Sequence, residues 1–267
     1  MAVISPDVVI LAAGRGSRLG ALTRDRPKCL VPLGRRALLD WQFDALAEAD
    51  LDRITVATGY RAEAFEAYGV DTIHNADWAR TNMVATLRAA LPRLRADADL
   101  IVCYSDIVYE SRIIRAIARS TLDVATAIDT EWLRLWRLRN ENPLDDAETL
   151  RLGDQDSIVE IGGVPTSLDA IEGQYIGLTK FSVAGKRALL DYLDAAGAGR
   201  ITLSRPFAAI HFTEMLQGLV DSGQPVHAVR TAGGWLEVDT ESDLATYEAL
   251  IATGEMSDIW NQRAVGA

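Results

Sequence analysis

The chain has 267 residues, 49% of them hydrophobic and 24% charged, and its 38 acidic residues against 27 Lys and Arg give a formal net charge of −11. A balance this acidic argues against nucleic-acid binding, which draws on a basic face to displace counterions from phosphate backbones. No run approaches the roughly 18 apolar residues of a membrane span, the start MAVISPDVVILAAG lacks the basic region of a signal peptide, and Cys29 and Cys103 are too few for a disulfide framework. A cytoplasmic enzyme with reduced thiols, without membrane insertion, is the expectation.

The short β-branched run DVVIL (residues 7–11) stops at Ala12, Ala13 and Gly14, as a buried parallel strand does when it feeds a glycine-rich turn. Leu39, Phe43 and Leu46 then recur at helical spacing over residues 37–49. Strand signals at 54–58 and 70–74 flank a helical stretch at 61–68. A helix is expected over 81–94, with Met83, Leu87, Ala90 and Leu94 on one face, and LIVCY (100–104) reads as another buried strand, ending at Ser105 and Asp106. Residues 113–118 read as helix and 124–128 as strand. The alternation predicts a Rossmann-like, doubly wound, mostly parallel α/β sheet.

From about 130 to 173 the alternation lapses, and this stretch reads as an insertion across the sheet edge. A strand follows at 174–182, helices at 183–195 and 207–220, and a strand at 226–230. A last helix starts at Thr240, with Asp243 completing its cap and Leu244, Tyr247 and Ile251 turned inward. One domain over 1–253 is expected, with 254–267 as a polar tail.

The turn GRGSRLG (residues 14–20) has its third glycine one residue too late for the dinucleotide fingerprint, and it lacks the Gly-Lys-Ser/Thr of a P-loop. Its glycines still let backbone approach a phosphate, and Arg15 and Arg18 offer forked donors. Between residues 15 and 36 seven basic residues stand against Asp25 alone, which points to a small polyanionic ligand. The chain has 24 Arg and only 3 Lys, so Lys28 after Pro27 is a distinctive choice of a compact ammonium.

LAAGRGSRLG (11–20) followed by RPKCLVPLG (26–34) resembles the signature of nucleoside-triphosphate transferases, which build activated sugars and alcohols from an NTP and a phosphorylated acceptor. YSDI (104–107), GQYIGLTKF (173–181) and GWLEVDT (234–240) extend the resemblance to about residue 250 and are most similar to the branch acting on phosphocholine and aminoalkyl phosphonates. Where this chain has Met83 after Thr81 and Asn82, that branch often has a second Asn. The resemblance implies the nucleotide-diphospho-sugar transferase fold, with 130–173 as an acceptor-binding insertion. It further implies a cytidylyltransferase that moves CMP from CTP to a phosphorylated or phosphonate acceptor and releases pyrophosphate. Leu11, Ala12, Ala13, Thr81 and Asn82 would then approach the nucleoside, Gly14, Arg15, Gly16 and Arg18 the triphosphate, and Lys28 the α-phosphate.

Asp106 stands at the carboxyl end of an expected parallel strand, where open α/β sheets place ligands. Glu237 and Asp239, two apart on an extended segment, project to one side. Converging, the three form an oxygen site suited to Mg²⁺; the alternative for each is capping a nearby helix. Attack by an anionic phosphate oxygen needs no general base, so Arg18, Lys28 and Asp106 are expected to act by positioning and charge neutralisation. Trp132, Trp136, Tyr175 and Trp235 are the candidates for an alkylammonium pocket, with packing of the insertion onto the sheet as the alternative for the first two. Lys180 is a weaker candidate for the acceptor phosphate. A sugar-1-phosphate nucleotidyltransferase using another NTP, and a non-catalytic regulatory homologue, are the competing readings, with a homo-oligomer left open.

Overall fold

The structure, a computed structural model, describes residues 5–261. Its strands are β1 (Asp7–Ala12), β2 (Pro32–Leu33), β3 (Arg36–Ala37), β4 (Ile54–Thr58), β5 (Asp71–His74), β6 (Leu100–Tyr104), β7 (Ile107–Tyr109), β8 (Val124–Asp129), β9 (Leu150–Leu152), β10 (Ile158–Ile161), β11 (Gln174–Phe181), β12 (His227–Thr231) and β13 (Trp235–Glu237). Its α-helices are α1 (Leu38–Glu48), α2 (Met83–Ala90), α3 (Ser111–Arg119), α4 (Trp132–Arg139), α5 (Val183–Gly197), α6 (Phe212–Asp221) and α7 (Glu241–Thr253). Seven strands form the main sheet in the order β12-β8-β11-β6-β1-β4-β5, with β11 alone running antiparallel to its neighbours. The expected mostly parallel α/β architecture is what forms.

Every residue of β1 is buried: Val8 to Leu11 read as a continuous apolar run because both faces of the sheet are covered, while Asp7 is paired with Arg95. Val8, Ile10 and Ala12 face one core with α1, α3, α4 and α7, while Val9 and Leu11 face the other with α2, α5 and α6. The helix expected over 81–94 is shorter: Asn82 caps α2 by accepting from Met83 N, and Pro92 forces a 3-10 turn at Leu91–Arg93. Residues 62–68 likewise form a 3-10 turn. At α7, Thr240 and Asp243 form the expected capping box, and Tyr247 is fully buried.

Residues 130–173 contain α4 and the hairpin β9/β10. The hairpin meets edge strand β12 at the Ser157–His227 bridge and through Ile158 N donating to Val226 O at 2.7 Å. One further ribbon positions the site. Just past the end of β6, the short β7 pairs antiparallel with β13, placing Ile107 opposite Glu237, and Val238 N donates to Asp106 O at 2.9 Å. Among the described residues no helix is long and apolar enough to cross a membrane.

The segment after Gly254, read from sequence as a polar tail, is a correction as far as residue 261. Gly254 ends α7 in the left-handed conformation and turns the chain back. Met256 and Trp260 are then buried, and Trp260 packs edge-on against Trp41 at 5.2 Å. Residues 262–267 of the expected tail lie outside the described residues. Trp260→Ala is expected to lower unfolding free energy by about 3–5 kcal/mol, the usual cost of emptying an aromatic site. Urea unfolding followed by circular dichroism checks this, and a change under about 1 kcal/mol would mean that the segment does not hold to the core.

Candidate active site

The glycine-rich turn leaves β1 at Ala12 and runs beneath the carboxyl ends of the parallel strands. Gly16 takes a left-handed φ of 71°, and its carbonyl accepts from Leu19 N at 3.1 Å and Thr23 Oγ1 at 3.0 Å, which closes the turn. Leu19 anchors the following 3-10 segment in the core. A Cβ at Gly16 would come within 2.7 Å of Lys28 Cβ, so this glycine is required by the close approach of a particular side chain as well as by its backbone angle.

Pro27, with φ −64° and ψ 156°, hands the chain to the turn Lys28–Leu30. There Cys29 enters the core, where burial pushes its thiol up and makes it a structural residue. Lys28 is only 8% exposed. Its ammonium donates to Asp106 Oδ2 at 2.7 Å and to Asp239 Oδ1 at 2.6 Å, and Arg18 pairs with the other oxygen of Asp239. Burial alone would lower the Lys28 pKa, yet the two carboxylates hold it above the ordinary lysine range. The lysine is a permanent cation at the foot of the site.

These groups line a cavity of about 270 Å³. Of the nucleotide-site candidates, Leu11, Ala13, Gly14, Gly16, Arg18, Lys28, Thr81, Asn82, Asp106 and Asp239 line it together. Ala12 does not, because strand alternation turns it into the opposite core. Arg15 is directed away, with its guanidinium over the Tyr60 ring at 5.6 Å. Ser17, Trp78, Met83, Thr86 and Ser105 also line the cavity. Trp78 packs so closely on Gly59 that any Cβ there would meet Trp78 Cβ at 2.4 Å, but nothing in the sequence joined either residue to the glycine turn.

The three carboxylates expected to hold a metal are shared between two side-chain cations. Among the described residues no group of three His, Cys, Asp or Glu is arranged to hold a metal ion. Lys28 lies between Asp106 and Asp239, and Glu237 is engaged by Arg139, with Oε2 and Nη1 2.6 Å apart. Desolvation raises Glu237 to about 7 against the pull of Arg139, with Asp106 and Asp239 adding to the rise. The Asp106–Asp239 pair nonetheless suits a hard cation that completes its shell with phosphate oxygens, since the Oδ1 of Asp106 is buried without a hydrogen-bond partner. Asp106 is not a helix cap: β7 intervenes, and Glu110 occupies the capping position of α3.

The alkylammonium pocket does not form. Trp132, Trp136 and Trp235 are buried to 5% exposure or less and pack on one another, with ring centroids 5.8 and 6.1 Å apart. The indole of Trp235 donates to Asp129 at 2.9 Å. They are the seam between α4 of the insertion and β13, the packing role that the helical spacing of Trp132 and Trp136 also allowed. Tyr175 stacks on Phe212 at 5.9 Å and meets Tyr104 edge-on, outside the cavity lining. Lys180 is displaced furthest from expectation. Because β11 runs antiparallel, Lys180 sits beside Ile101 and Ala125 at the amino ends of the parallel strands, donating to Ala118 O and Ser120 O.

Arg139 was not foreseen, and its position at the end of a tryptophan-bearing helix offered no signal beyond charge. Gly16→Ala is expected to cost at least about 1 kcal/mol for the left-handed backbone, with about 1–3 kcal/mol more from overlap with Lys28. Chemical denaturation of this variant measures the sum, and wild-type stability would show that the turn and Lys28 are not in contact.

A family model described as the MobA-like NTP transferase domain matches residues 8–132. Over 247 residues the chain is 34% identical to a CTP:phosphoglutamine cytidylyltransferase of Campylobacter jejuni, a similarity covering 89% of this chain and 97% of that protein. It is 32% identical over 107 residues to a 2-aminoethylphosphonate cytidylyltransferase of Lancefieldella rimae, covering 38% of this chain and 43% of the relative. The solved structure of the CTP:phosphocholine cytidylyltransferase from Streptococcus pneumoniae superposes with a TM-score of 0.72 at 21% identity, over 93% of this chain and all of that one, so the fold is shared. Similarity that runs the length of a relative, together with a family match that begins in β1 and takes in the glycine turn, Lys28 and Asp106, shows that the chain belongs to the MobA-like NTP transferase family and is a nucleotidyltransferase of the cytidylyltransferase type.

Proposed function

We propose that the chain transfers CMP from CTP to a phosphate or phosphonate oxygen of a small acceptor, with Mg²⁺ as the metal and pyrophosphate as the second product. The observation that carries the reading is the buried Lys28 ammonium, held by Asp106 and Asp239 at one end of a cavity whose other wall is the glycine turn. An ammonium has three donors. The two carboxylates use two, which leaves one for a phosphate oxygen.

In this reading the acceptor oxyanion forms a bond to the α-phosphorus while the α–β phosphoanhydride bond breaks and pyrophosphate leaves with the electron pair. The attacking oxygen is already ionised, so no residue has to remove a proton. What opposes reaction is bringing two anions together, and Lys28 and Arg18 supply fixed positive charge where they meet. The backbone of Gly14 and Gly16 approaches the triphosphate, and Leu11, Ala13, Thr81 and Asn82 border the nucleoside. Bound Mg²⁺ would add neutralisation of the phosphate charge, with Asp106 and Asp239 as its protein ligands.

With the tryptophans in the core, the acceptor is inferred from the relatives rather than from an aromatic cage. Phosphoglutamine is the first acceptor to test, because similarity to the enzyme bearing that name covers 89% of this chain. The share is 38% for the aminoethylphosphonate relative and 28% for a choline-phosphate one. Phosphocholine and 2-aminoethylphosphonate follow.

The test is pyrophosphate release with Mg²⁺ and ATP, CTP, GTP, UTP or dTTP, each crossed with these three acceptors and several sugar 1-phosphates. Release with CTP and a nitrogen-bearing acceptor is expected. Release confined to another NTP and a sugar 1-phosphate would replace the reading, and silence across the panel would remove it. Lys28→Ala and Asp106→Ala should each lower turnover at least about 100-fold with circular dichroism unchanged. Near-normal turnover in either variant would eliminate the charge-neutralisation mechanism.

A further inference from the structure

Arg139 stands at the last position of α4, in the insertion, and does not line the nucleotide cavity. Its side chain is only 3% exposed, yet it meets three carboxylates: Glu237 at 2.6 Å, Asp243 at 3.4 Å and Asp146 at 3.6 Å. The guanidinium also lies over the Trp136 ring, 5.2 Å from its centroid. An arginine so enclosed is held by its partners, and its partners are held apart from one another by it. Two of those partners bracket a single loop. Glu237 precedes Asp239 by two residues, and Asp243 turns its second oxygen onto the backbone N–H groups of Asp239 and Thr240, each at 2.9 Å. A continuous set of contacts therefore runs from Arg139 through Asp243 to the Asp239 backbone, and through the Asp239 carboxylate to Lys28.

We propose that Arg139 is a positioning residue: by gripping Glu237 and Asp243 at once it fixes the 237–243 loop so that Asp239 stays against Lys28. Without the guanidinium, Glu237, Asp243 and Asp146 would face one another and Asp239 with no shared counter-charge, and the loop would move outward, uncovering Lys28. The catalytic consequence rests on the transfer reading above; the positional claim does not.

The three lysines of the chain make the claim measurable. Lys28, Lys180 and Lys186 are all at most 8% exposed. Lys180 and Lys186 are held by carbonyl oxygens, at 2.6 Å from Ser120 and from Ala98 respectively, away from the loop. The ligand-free protein is acylated with acetic anhydride, and the rate at each lysine is read by peptide mass spectrometry. In Arg139→Gln, and in Asp243→Asn at the other end of the link, acylation of Lys28 is expected to rise at least about tenfold while Lys180 and Lys186 stay within about twofold of the parent, as local opening of one loop predicts. Arg139→Lys should fall between, since an ammonium can replace one of the three pairs but not the fork. An unchanged rate at Lys28 overturns the proposal. So does a parallel rise at all three lysines, which would assign Arg139 to general stability of the fold. No nucleotide or acceptor enters the measurement, so a parent that is silent in the pyrophosphate assay would defeat the transfer reading and leave this result standing.

Discussion

A lysine ammonium buried between two carboxylates is the constraint around which this protein is arranged. Removing such a charge from water costs several kcal/mol unless it is closely paired, and the partners of Lys28 are 78 and 211 residues away in sequence. The carboxyl end of β6 brings Asp106 to the site. The β7/β13 ribbon brings Asp239, by binding Val238 N to the Asp106 carbonyl. Gly16 is bare of a side chain so that the lysine stem can pass beneath it. The glycine turn thus has two tasks in one place: it leaves backbone open toward the cavity, and it roofs the cation that sits there.

The insertion contributes through packing and charge more than through a ligand surface. Trp132, Trp136 and Trp235 form a buried seam between α4 and β13, and Arg139 continues that seam into the loop that carries Asp239. The helix that follows is tied to the same loop, since the Asp243 of its capping box also binds the Asp239 backbone. Trp260, folding back after Gly254, supports α1 through Trp41. The three carboxylates that looked in sequence like one metal cluster are divided between two cations, Asp106 and Asp239 on Lys28 and Glu237 on Arg139. The division places the charge of Glu237 in the scaffold of the site and leaves one buried oxygen of Asp106 unpaired.

Much of the fold was legible because a strand covered on both faces has no polar face to disguise it. DVVIL and LIVCY announced β1 and β6, and Thr240 with Asp243 announced the start of α7. The glycine-turn side of the site was legible for a related reason: it is built from one short segment, residues 11–28, whose glycines and arginines have local consequences. The Asp106 oxygen was found from its place at a strand end. Less legible were features that depend on direction and partner. Lys180 and Tyr175 share a strand, but only the antiparallel course of β11 shows that the lysine lies at the far end of the sheet. The tryptophans have the same spacing whether they cage a ligand or fill a core, and the outcome depends on what the neighbouring elements leave exposed.

By itself, then, the sequence determined the α/β class, the glycine turn, Lys28 as its distinctive cation and the family to which these belong, because each rests on residues close together in the chain or on the period of a buried strand. Only the tertiary structure decided which carboxylate meets which cation, that the aromatic residues are core, and that Arg139 stands behind Asp239. Those outcomes depend chiefly on contacts between segments far apart in the chain, and a buried charge takes whichever partner the packing brings within hydrogen-bonding distance.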